Sequence, residues 1–327
     1  MKKTLVALTV AALTATSASA LTVFEENGST IKVGGAVKLH MEKVKNGGKS
    51  KSVAMIKDDA KINVEAKYAF GDAYALGFYE YDFLGSKAKK AYVGLGNNAG
   101  HQVTFGLQNT FADNVGESSF DNIWGVRGKF TQGDADSTIA YRYTGLEGWE
   151  FGADYVLKQT GIFKIDGNDV AVEQKAWFDL GAKYSVDNFT AAFAISQQKN
   201  SVRDFTKLIG KNLLVKKTTA LDTGFSYVMD NLTFALDLGY AKFDFGNDSA
   251  KAYYVSPGMK AAFGDAAVYG NYTYTKVEDF KIHGFNLGTE YQLVKNAKVF
   301  AEVKYEKVKD ADKKADKAFG VGMKVEW

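Results

Sequence analysis

The last ten residues of the chain alternate strictly between two kinds of side chain. Phe319, Met323 and Trp327 share one parity with two valines, whereas the intervening residues are small or charged. A period of two is typical of a β-strand whose two faces meet different environments. The apolar face would be buried in the core of a soluble sandwich. In a membrane barrel it would contact lipid, and the polar face would line a wet lumen.

Similar alternating runs recur from Thr30 onward, and short turns rich in Gly, Asn and Asp separate many of them. These residues tolerate the positive φ that tight hairpins require. The predicted turns are Gly71-Asp72, Asn97-Asn98-Ala99-Gly100, residues 145–148, Val186-Asp187-Asn188, Asp230-Asn231, Gly264-Asp265 and Lys295-Asn296-Ala297. Longer polar segments lie between them, at 45–52, 109–136, 159–171, 199–214, 244–249, 277–280 and 309–316. Seven short turns and about eight longer connections predict about sixteen strands.

The number of strands favours a membrane barrel over a sandwich. About sixteen long strands would make an unusually large sandwich. Aromatic residues also cluster near predicted strand ends, for example at Tyr79, Tyr81 and Trp149, as they do in the aromatic girdles of barrels. Apart from the N-terminus, no run approaches the ~20 apolar residues of a membrane helix. We therefore predict an all-β, transmembrane antiparallel β-barrel that forms one domain over residues 21–327.

The first twenty residues have the features of a secretory signal. Lys2 and Lys3 form a basic start, an apolar stretch follows, and Ala18-Ser19-Ala20 is an A-x-A cleavage motif. The prediction is a signal peptide over residues 1–20, cleaved after Ala20. The chain would then be exported, and because it has no cysteine, no disulfide can hold its fold.

Composition and motifs exclude several classes of function. Removing Lys2 and Lys3 from the 41 basic residues leaves 39 against 38 acidic ones, a balance that argues against nucleic acid as a partner. His40, His101 and His283 lack metal-ligand spacing, so we expect neither a metal site nor a cofactor. The chain has no G-x-S-x-G motif or other nucleophile–base pattern, and we expect no enzyme. A barrel hydrolase would need a Ser–His or Asp–His pair on the wall.

Five segments together carry a resemblance to a known family. They are residues 77–83 (G-F-Y-E-Y-D-F), 91–96 (A-Y-V-G-L-G), 140–143 (A-Y-R-Y), 253–258 (Y-Y-V-S-P-G) and 268–272 (V-Y-G-N-Y). In this order and spacing the chain resembles the general porins of Gram-negative outer membranes, most like the Haemophilus and Pasteurella type. Two departures are the terminal Trp327, where most members end in Phe, and the segment 116–120 (G-E-S-S-F) in place of P-E-F-G-G.

The resemblance implies a homotrimer of sixteen-stranded barrels in the outer membrane, each narrowed by its third external loop folded inward. Outer-membrane lipid, lipopolysaccharide, ions and small hydrophilic solutes would be the partners. The function implied is passive diffusion through a water-filled channel. A solute-specific channel, which would carry an aromatic slide, and a non-porous structural barrel remain alternatives.

The site predictions combine strand parity with the resemblance. The longest connection, within residues 109–136, would be the constriction loop, although a loop that only covers the mouth is the alternative. We predict that its carboxylates Asp113, Glu117 and Asp121 oppose basic residues of the wall. Arg142 matches the wall arginine of the family and Glu80 matches a position that faces the lumen. The remaining wall candidates, from alternation, are Lys61, Lys67, Lys38 and Lys89. Phe319 and Trp327 belong to the terminal strand that would close the barrel.

Overall fold

The computed structural model describes residues 20–165, 168–204, 212–309 and 314–327, which are mostly β-strand. Of the predicted signal peptide only Ala20 is included, so Ala18 lies outside the described residues. No helical segment in the described part of the chain has the length and apolar character needed to cross a membrane. The strands are β1 (Leu21–Glu26), β2 (Ser29–Asn46), β3 (Lys49–Ser50), β4 (Ala54–Phe70), β5 (Ala73–Asp82), β6 (Lys87–Asn97), β7 (His101–Asn109), β8 (Asp134–Tyr143), β9 (Trp149–Val156), β10 (Gln159–Ile165), β11 (Asn168–Gln174), β12 (Trp177–Val186), β13 (Phe189–Asp204), β14 (Asn212–Met229), β15 (Leu232–Asp244), β16 (Ser249–Phe263), β17 (Ala266–Val277), β18 (Phe280–Val294), β19 (Ala297–Lys309) and β20 (Asp316–Glu326).

Sixteen of these strands form a closed antiparallel barrel, which confirms the predicted fold class. Each strand pairs with its neighbours in chain order from β4 to β9 and from β12 to β20, and β9 pairs with β12. The ring closes because β2 pairs with both β4 and β20. Strands β10 and β11 form a separate hairpin in the connection between β9 and β12. A closed ring leaves no edge with unpaired backbone groups, as a membrane-spanning sheet requires.

The two ends of the described chain meet at the seam of the barrel. Strand β1 pairs with the first residues of β2, and β20 pairs with the rest of β2, ending at Glu326 opposite Ala36. Between them the Gly35 N–H donates to the Trp327 carbonyl at 2.7 Å, and the Trp327 N–H donates to the Gly35 carbonyl at 3.0 Å. A Cβ atom on Gly35 would lie 2.7 Å from the Trp327 ring, so glycine permits this close approach.

The two ends of the barrel differ in the connections between their strands. The seven predicted short turns all join strands at the end where the chain termini meet, and Gly71 and Gly264 adopt φ values of 62° and 61° there. Most of the longer connections lie at the opposite end, which is external in barrels of this kind. Three connections at that end are short: residues 83–86, which were not among the predicted polar segments, residues 245–248, and Glu278-Asp279, where the longer segment 277–280 was predicted. The predicted segment 159–171 instead holds most of the β10–β11 hairpin.

Burial is inverted relative to a soluble protein. The apolar side chains of β20 point outward, with Phe319 52% and Trp327 41% exposed. Several carboxylates that point inward are almost inaccessible; among them, Asp237 is 0% exposed. This pattern is expected where lipid contacts the outer face and the lumen is polar.

Candidate functional site

The connection between β7 and β8, residues 110–133, folds into the barrel, and we call it the inward loop. Its two ends are joined, because the Thr110 N–H donates to the Gly133 carbonyl at 2.8 Å and the Thr110 hydroxyl donates to the Gln132 carbonyl at 2.8 Å. The loop begins with the 3-10 turn Phe111–Asn114. It is the third of the long connections in chain order, as the resemblance implied.

Phe111 fixes the start of the inward loop to the wall. Its side chain is buried and packs with Ala192 and Ala194. Its ring lies against the lumen side of Gly152 and Gly181, where an added Cβ would come within 2.1 and 2.3 Å of the ring. The two glycines therefore form a recess in the wall that any larger side chain would fill.

Four carboxylates of the wall accept hydrogen bonds from backbone N–H groups of the inward loop. Asp154 accepts from Phe111, and Asp237 accepts from Glu117 and Ser118 at 2.7 and 3.1 Å. The other two, Glu302 and Asp222, accept from residues 122–124 and 130–131. Hydrogen bonds to a charged group contribute about 1.5–3 kcal/mol each, more than neutral ones. The loop is thus held by its backbone at four places along its length.

Of the four anchors, Glu302 accepts from the largest number of backbone N–H groups. Its two oxygens accept from the N–H groups of Asn122 and Trp124 at 2.8 Å each and from that of Ile123 at 3.3 Å. The Tyr269 hydroxyl also donates to Glu302, at 3.0 Å. From β2, the Lys38 ammonium donates to the Asn122 carbonyl at 2.9 Å and pairs with Asp58 at 2.7 Å. Lys38, a predicted wall residue, therefore contacts the tip of the loop.

An apolar cluster inside the external end of the barrel supports the last part of the loop. Phe130 packs against the rings of Phe243 and Tyr254, with centroids 6.2 and 5.2 Å apart. Phe243 belongs to a buried cluster that also includes Val215, Val277 and Val308. The loop is consequently packed as well as hydrogen-bonded, which favours a single position.

The three predicted loop carboxylates have different partners. Asp113 accepts from Lys129 of the same loop at 2.5 Å. Glu117 pairs with Lys183 of β12 at 3.1 Å and accepts from the Ser226 hydroxyl at the same distance. Asp121 is half-buried. Burial raises the pKa of the Asp121 carboxyl, and the nearby Glu302 carboxylate raises it further.

The predicted wall residues are paired mainly with carboxylates of the wall itself. Arg142 donates to both oxygens of Asp154 at 2.7 and 3.1 Å, and its guanidinium lies 5.4 Å from the centre of the Phe111 ring. The Lys61 ammonium lies 3.5 Å from Asp59 and 3.8 Å from Glu80. The expected ion pairs between the loop carboxylates and Arg142, Lys61 or Lys67 are therefore absent from the described contacts. For Arg142 and Lys61 the reason is that the wall itself already supplies acids to these bases.

Lys67 contacts an aromatic ring, whereas Lys89 lies near the external end of the barrel. The Lys67 ammonium lies over the Tyr74 ring, 4.0 Å from its centre. Lys89 has a side chain 54% exposed and lies 3.8 Å from Asp82 near the external end. Lys89 is the extra residue of a β-bulge in β6 and shares its parity with the outward Val93 and Leu95, whereas Lys90 stands opposite Glu80 in the register.

Sequence reasoning missed the anchors Asp154, Asp222, Asp237 and Glu302, and also Lys90 and Lys183. A signal for two of them was present. Asp237 stands between two leucines and Glu302 between Ala301 and Val303 in mid-strand, so alternation alone points their carboxylates into the lumen. The described residues contain no group of three or more His, Cys, Asp or Glu side chains arranged to hold a metal ion.

Comparison with known proteins supports a channel. The Major outer membrane protein of Pasteurella multocida strain Pm70 is 26% identical over an alignment of 360 positions that covers 100% of both chains. Among solved structures, the anion-selective porin from Comamonas acidovorans has a TM-score of 0.73 at 18% identity, covering 91% of this chain and 100% of the other. OmpT of Vibrio cholerae, an outer membrane protein, also has a TM-score of 0.73, at 16% identity, covering 93% of this chain and 99% of the other.

The sequence matches the Gram-negative porin family over residues 7–311. That family and the relatives named above place the protein in the outer membrane and make it a channel protein rather than an enzyme. The closed sixteen-stranded barrel is the architecture expected of an outer-membrane porin. The chain belongs to the Gram-negative porin family.

Proposed function

We propose that ions and small hydrophilic solutes diffuse through a passage between the inward loop and the wall formed by β4, β5 and β6. The observation that supports this is the one-sided attachment of the loop. Its hydrogen bonds and ion pairs reach β2, β7, β9, β12 and strands from β13 to β19. None of those in the described residues reaches β4, β5 or β6. The uncovered wall carries Lys61, Lys90 and Glu80.

The electrostatics of this passage are mixed. The uncovered wall holds two lysines near Glu80, whereas the loop contributes Asp113, Asp121 and Lys129. Opposed charges across a narrow wet passage create a transverse field that orients dipolar solutes and disfavours apolar ones. Because both signs are present, we propose a weakly selective channel for general diffusion, with Asp113, Glu117 and Asp121 on the loop side and, of the predicted bases, Lys61 and Lys67 on the wall.

The test is the conductance of the purified protein in planar bilayers. A diffusion channel gives stepwise current increments that scale with bulk salt conductivity. A solute-specific channel would show saturable current block by its solute, and a non-porous structural barrel would give no steps. Absence of conductance from correctly folded protein would contradict the proposal.

We further propose that the functional unit is a homotrimer and that the signal peptide is cleaved after Ala20, which leaves residues 21–327 as the barrel domain. A trimer form of Vibrio cholerae OmpT supports the first part, with a TM-score of 0.70 to this chain at 17% identity. Outer-membrane lipid and lipopolysaccharide would surround this unit. Light scattering of the detergent-extracted protein and N-terminal sequencing, which should return L-T-V-F, test the two parts.

A further inference from the structure

Asp179 of β12 is a buried acid that the proposed passage does not use. It is 0% exposed, and neither oxygen of its carboxyl group has a hydrogen-bond donor among the described residues. Ser196 of β13 stands directly opposite it in the register, but the Ser196 hydroxyl is also buried and has no partner there. The nearby Thr110 hydroxyl donates to the Gln132 carbonyl at 2.8 Å. An ionised carboxylate without solvent or donors is strongly destabilised, so this environment favours the neutral acid.

The neighbour on the other side of Asp179 is a second carboxylate. Asp154 of β9 stands directly opposite Asp179 in the register, and the two carboxyl groups are within hydrogen-bonding reach of each other. We call these two residues the acid pair. Both oxygens of Asp154 already accept from Arg142, and one of them also accepts from the Phe111 N–H. Two ionised carboxylates that share one site repel each other, which favours a pair that holds one proton.

The surrounding charges do not compensate a second anion at this place. Arg142 is already bound to Asp154, and Lys183 pairs with Glu117 of the inward loop at 3.1 Å. Glu150 of β9, opposite Lys183 in the register, adds a further buried acid. Residues 192–198 of β13 carry no charged side chain. The charged groups on the elements packed against the acid pair are Arg142, Glu150, Lys183 and Glu117, together with Asp113 and Lys129, which pair with each other.

We propose that Asp179 is a positioning residue of the inward loop. Its carboxyl group carries a proton and donates a hydrogen bond to Asp154, which holds the Asp154 carboxylate against the Phe111 N–H. The acid pair adjoins the recess of Gly152 and Gly181 that receives the Phe111 ring, because each glycine is two residues from one of the acids along its strand. The neutral acid thus supports the point at which the loop enters the lumen.

The shared proton makes this anchor sensitive to alkaline pH. When the proton leaves to solvent, two negative charges face each other beside one guanidinium, and their repulsion weakens the contact between Asp154 and the Phe111 N–H. The start of the loop is then held less firmly, and the width of the passage beside it fluctuates more. This consequence rests on the proposed solute path, whereas the shared proton rests only on the surroundings of Asp179.

Infrared difference spectroscopy of the folded protein in detergent tests the protonation directly. At neutral pH, Asp179→Asn should lose the band of a protonated carboxylic acid relative to the parent, equivalent to one group per chain. The matched control is Asp187→Asn in the exposed turn after β12, where φ is 48° and asparagine tolerates the conformation. The control should lose carboxylate absorption instead. Loss of carboxylate absorption in Asp179→Asn would show that Asp179 is ionised and would overturn the proposal.

The positioning role is tested by the pH dependence of single-channel noise. In the parent, open-channel noise should rise between neutral and alkaline pH. Asp179→Asn keeps a donor toward Asp154 at every pH, so the rise should disappear. Asp179→Ala removes the donor, and its noise should already be high at neutral pH. Lysines and tyrosines that titrate in the alkaline range are the same in all three proteins, so they do not account for a difference between them.

Two results of the recordings would contradict the positioning role: an alkaline rise in noise that persists in Asp179→Asn, or parental noise at neutral pH in Asp179→Ala. A folding defect of Asp179→Ala would be seen as loss of the heat-modifiable band, and the comparison of the parent with Asp179→Asn then remains decisive. If the folded parent gave no conductance, the proposed channel would fail, while the infrared result would still decide whether the acid pair shares a proton.

Discussion

Individual charged side chains on the uncovered wall should set the ion preference of the passage. Lys61 and Lys90 lie on β4 and β6, which no described hydrogen bond or ion pair of the inward loop reaches. Removing both positive charges with Lys61→Gln and Lys90→Gln should shift the zero-current potential across a salt gradient toward cation preference. The effect should shrink as the Debye length falls from about 10 Å at 0.1 M to about 3 Å at 1 M salt. The same change at Lys158 and Lys164, on the outer hairpin, should leave the potential unchanged.

Removing charges from the inward loop should shift the zero-current potential in the opposite direction. Glu117→Ala together with Asp121→Ala should shift the potential toward anion preference, because two negative charges are lost from the loop side. Unchanged selectivity and conductance in both the wall and the loop variants would show that the solute path does not run between these surfaces.

Asp121 should also make the selectivity depend on pH. Burial, followed by the Glu302 carboxylate, raises the pKa of Asp121 above the ordinary aspartate value. As pH falls, Asp121 therefore takes up its proton before unperturbed carboxylates do, and the loop loses a negative charge. The zero-current potential should move toward anions in that first step. Asp121→Asn, which is neutral at every pH, should abolish the step, whereas its persistence in this variant would assign it to another group.

The inward loop is the element on which the pore depends, and its anchors can be tested one at a time. In Glu302→Gln only one acceptor oxygen remains for the N–H groups of residues 122–124, and the amide NH2 would face them. Losing a charge-assisted hydrogen bond should weaken the anchor by about 1.5–3 kcal/mol. Single-channel records should show higher conductance or larger open-channel noise. Glu326→Gln is the matched control, because Glu326 also points inward but pairs with Lys324 rather than with the loop.

The strands were predictable from sequence because each of their residues faces either lipid or the lumen. Alternation was sufficient for the sixteen strands of the ring, though not for the β10–β11 hairpin, and for the inward direction of Lys61 and Arg142, because lipid and lumen select opposite side chains. The inward prediction for Lys89 was wrong, because Lys89 shares its parity with the outward Val93 and Leu95 and is the extra residue of a bulge, whereas the neighbouring Lys90 faces Glu80. The anchors of the loop were not predictable as pairs, since Glu302 and Asn122 are 180 residues apart in the chain. Such a contact depends on the curvature of the closed sheet and leaves no periodic signal.

The molecule as a whole is a ring, so its stability should depend on the seam more than on any connection. The seam joins β2 to β20 and includes the paired backbone groups of Gly35 and Trp327. Gly35→Val would place side-chain atoms where the Trp327 ring and the Lys61 carbonyl already lie. We expect less folded protein after extraction, measured as the heat-modifiable band on gels. Gly71→Asn is a suitable control, because Gly71 lies in an open turn with φ 62° and asparagine tolerates this conformation.

Removing the terminal strand should abolish assembly altogether. Deleting residues 319–327 takes away most of β20, and both β2 and β19 would then present edges of unpaired N–H and C=O groups to the membrane. Each unsatisfied group in lipid costs several kcal/mol, so the open sheet cannot insert as a stable barrel. The matched control deletes residues 159–174, the β10–β11 hairpin, and joins its ends with a short Gly-Ser linker. That deletion removes two strands but leaves all sixteen ring strands paired, and folded protein should form. If the truncation at residue 318 still yielded heat-modifiable protein in the outer membrane, closure through β20 would not be required for the fold.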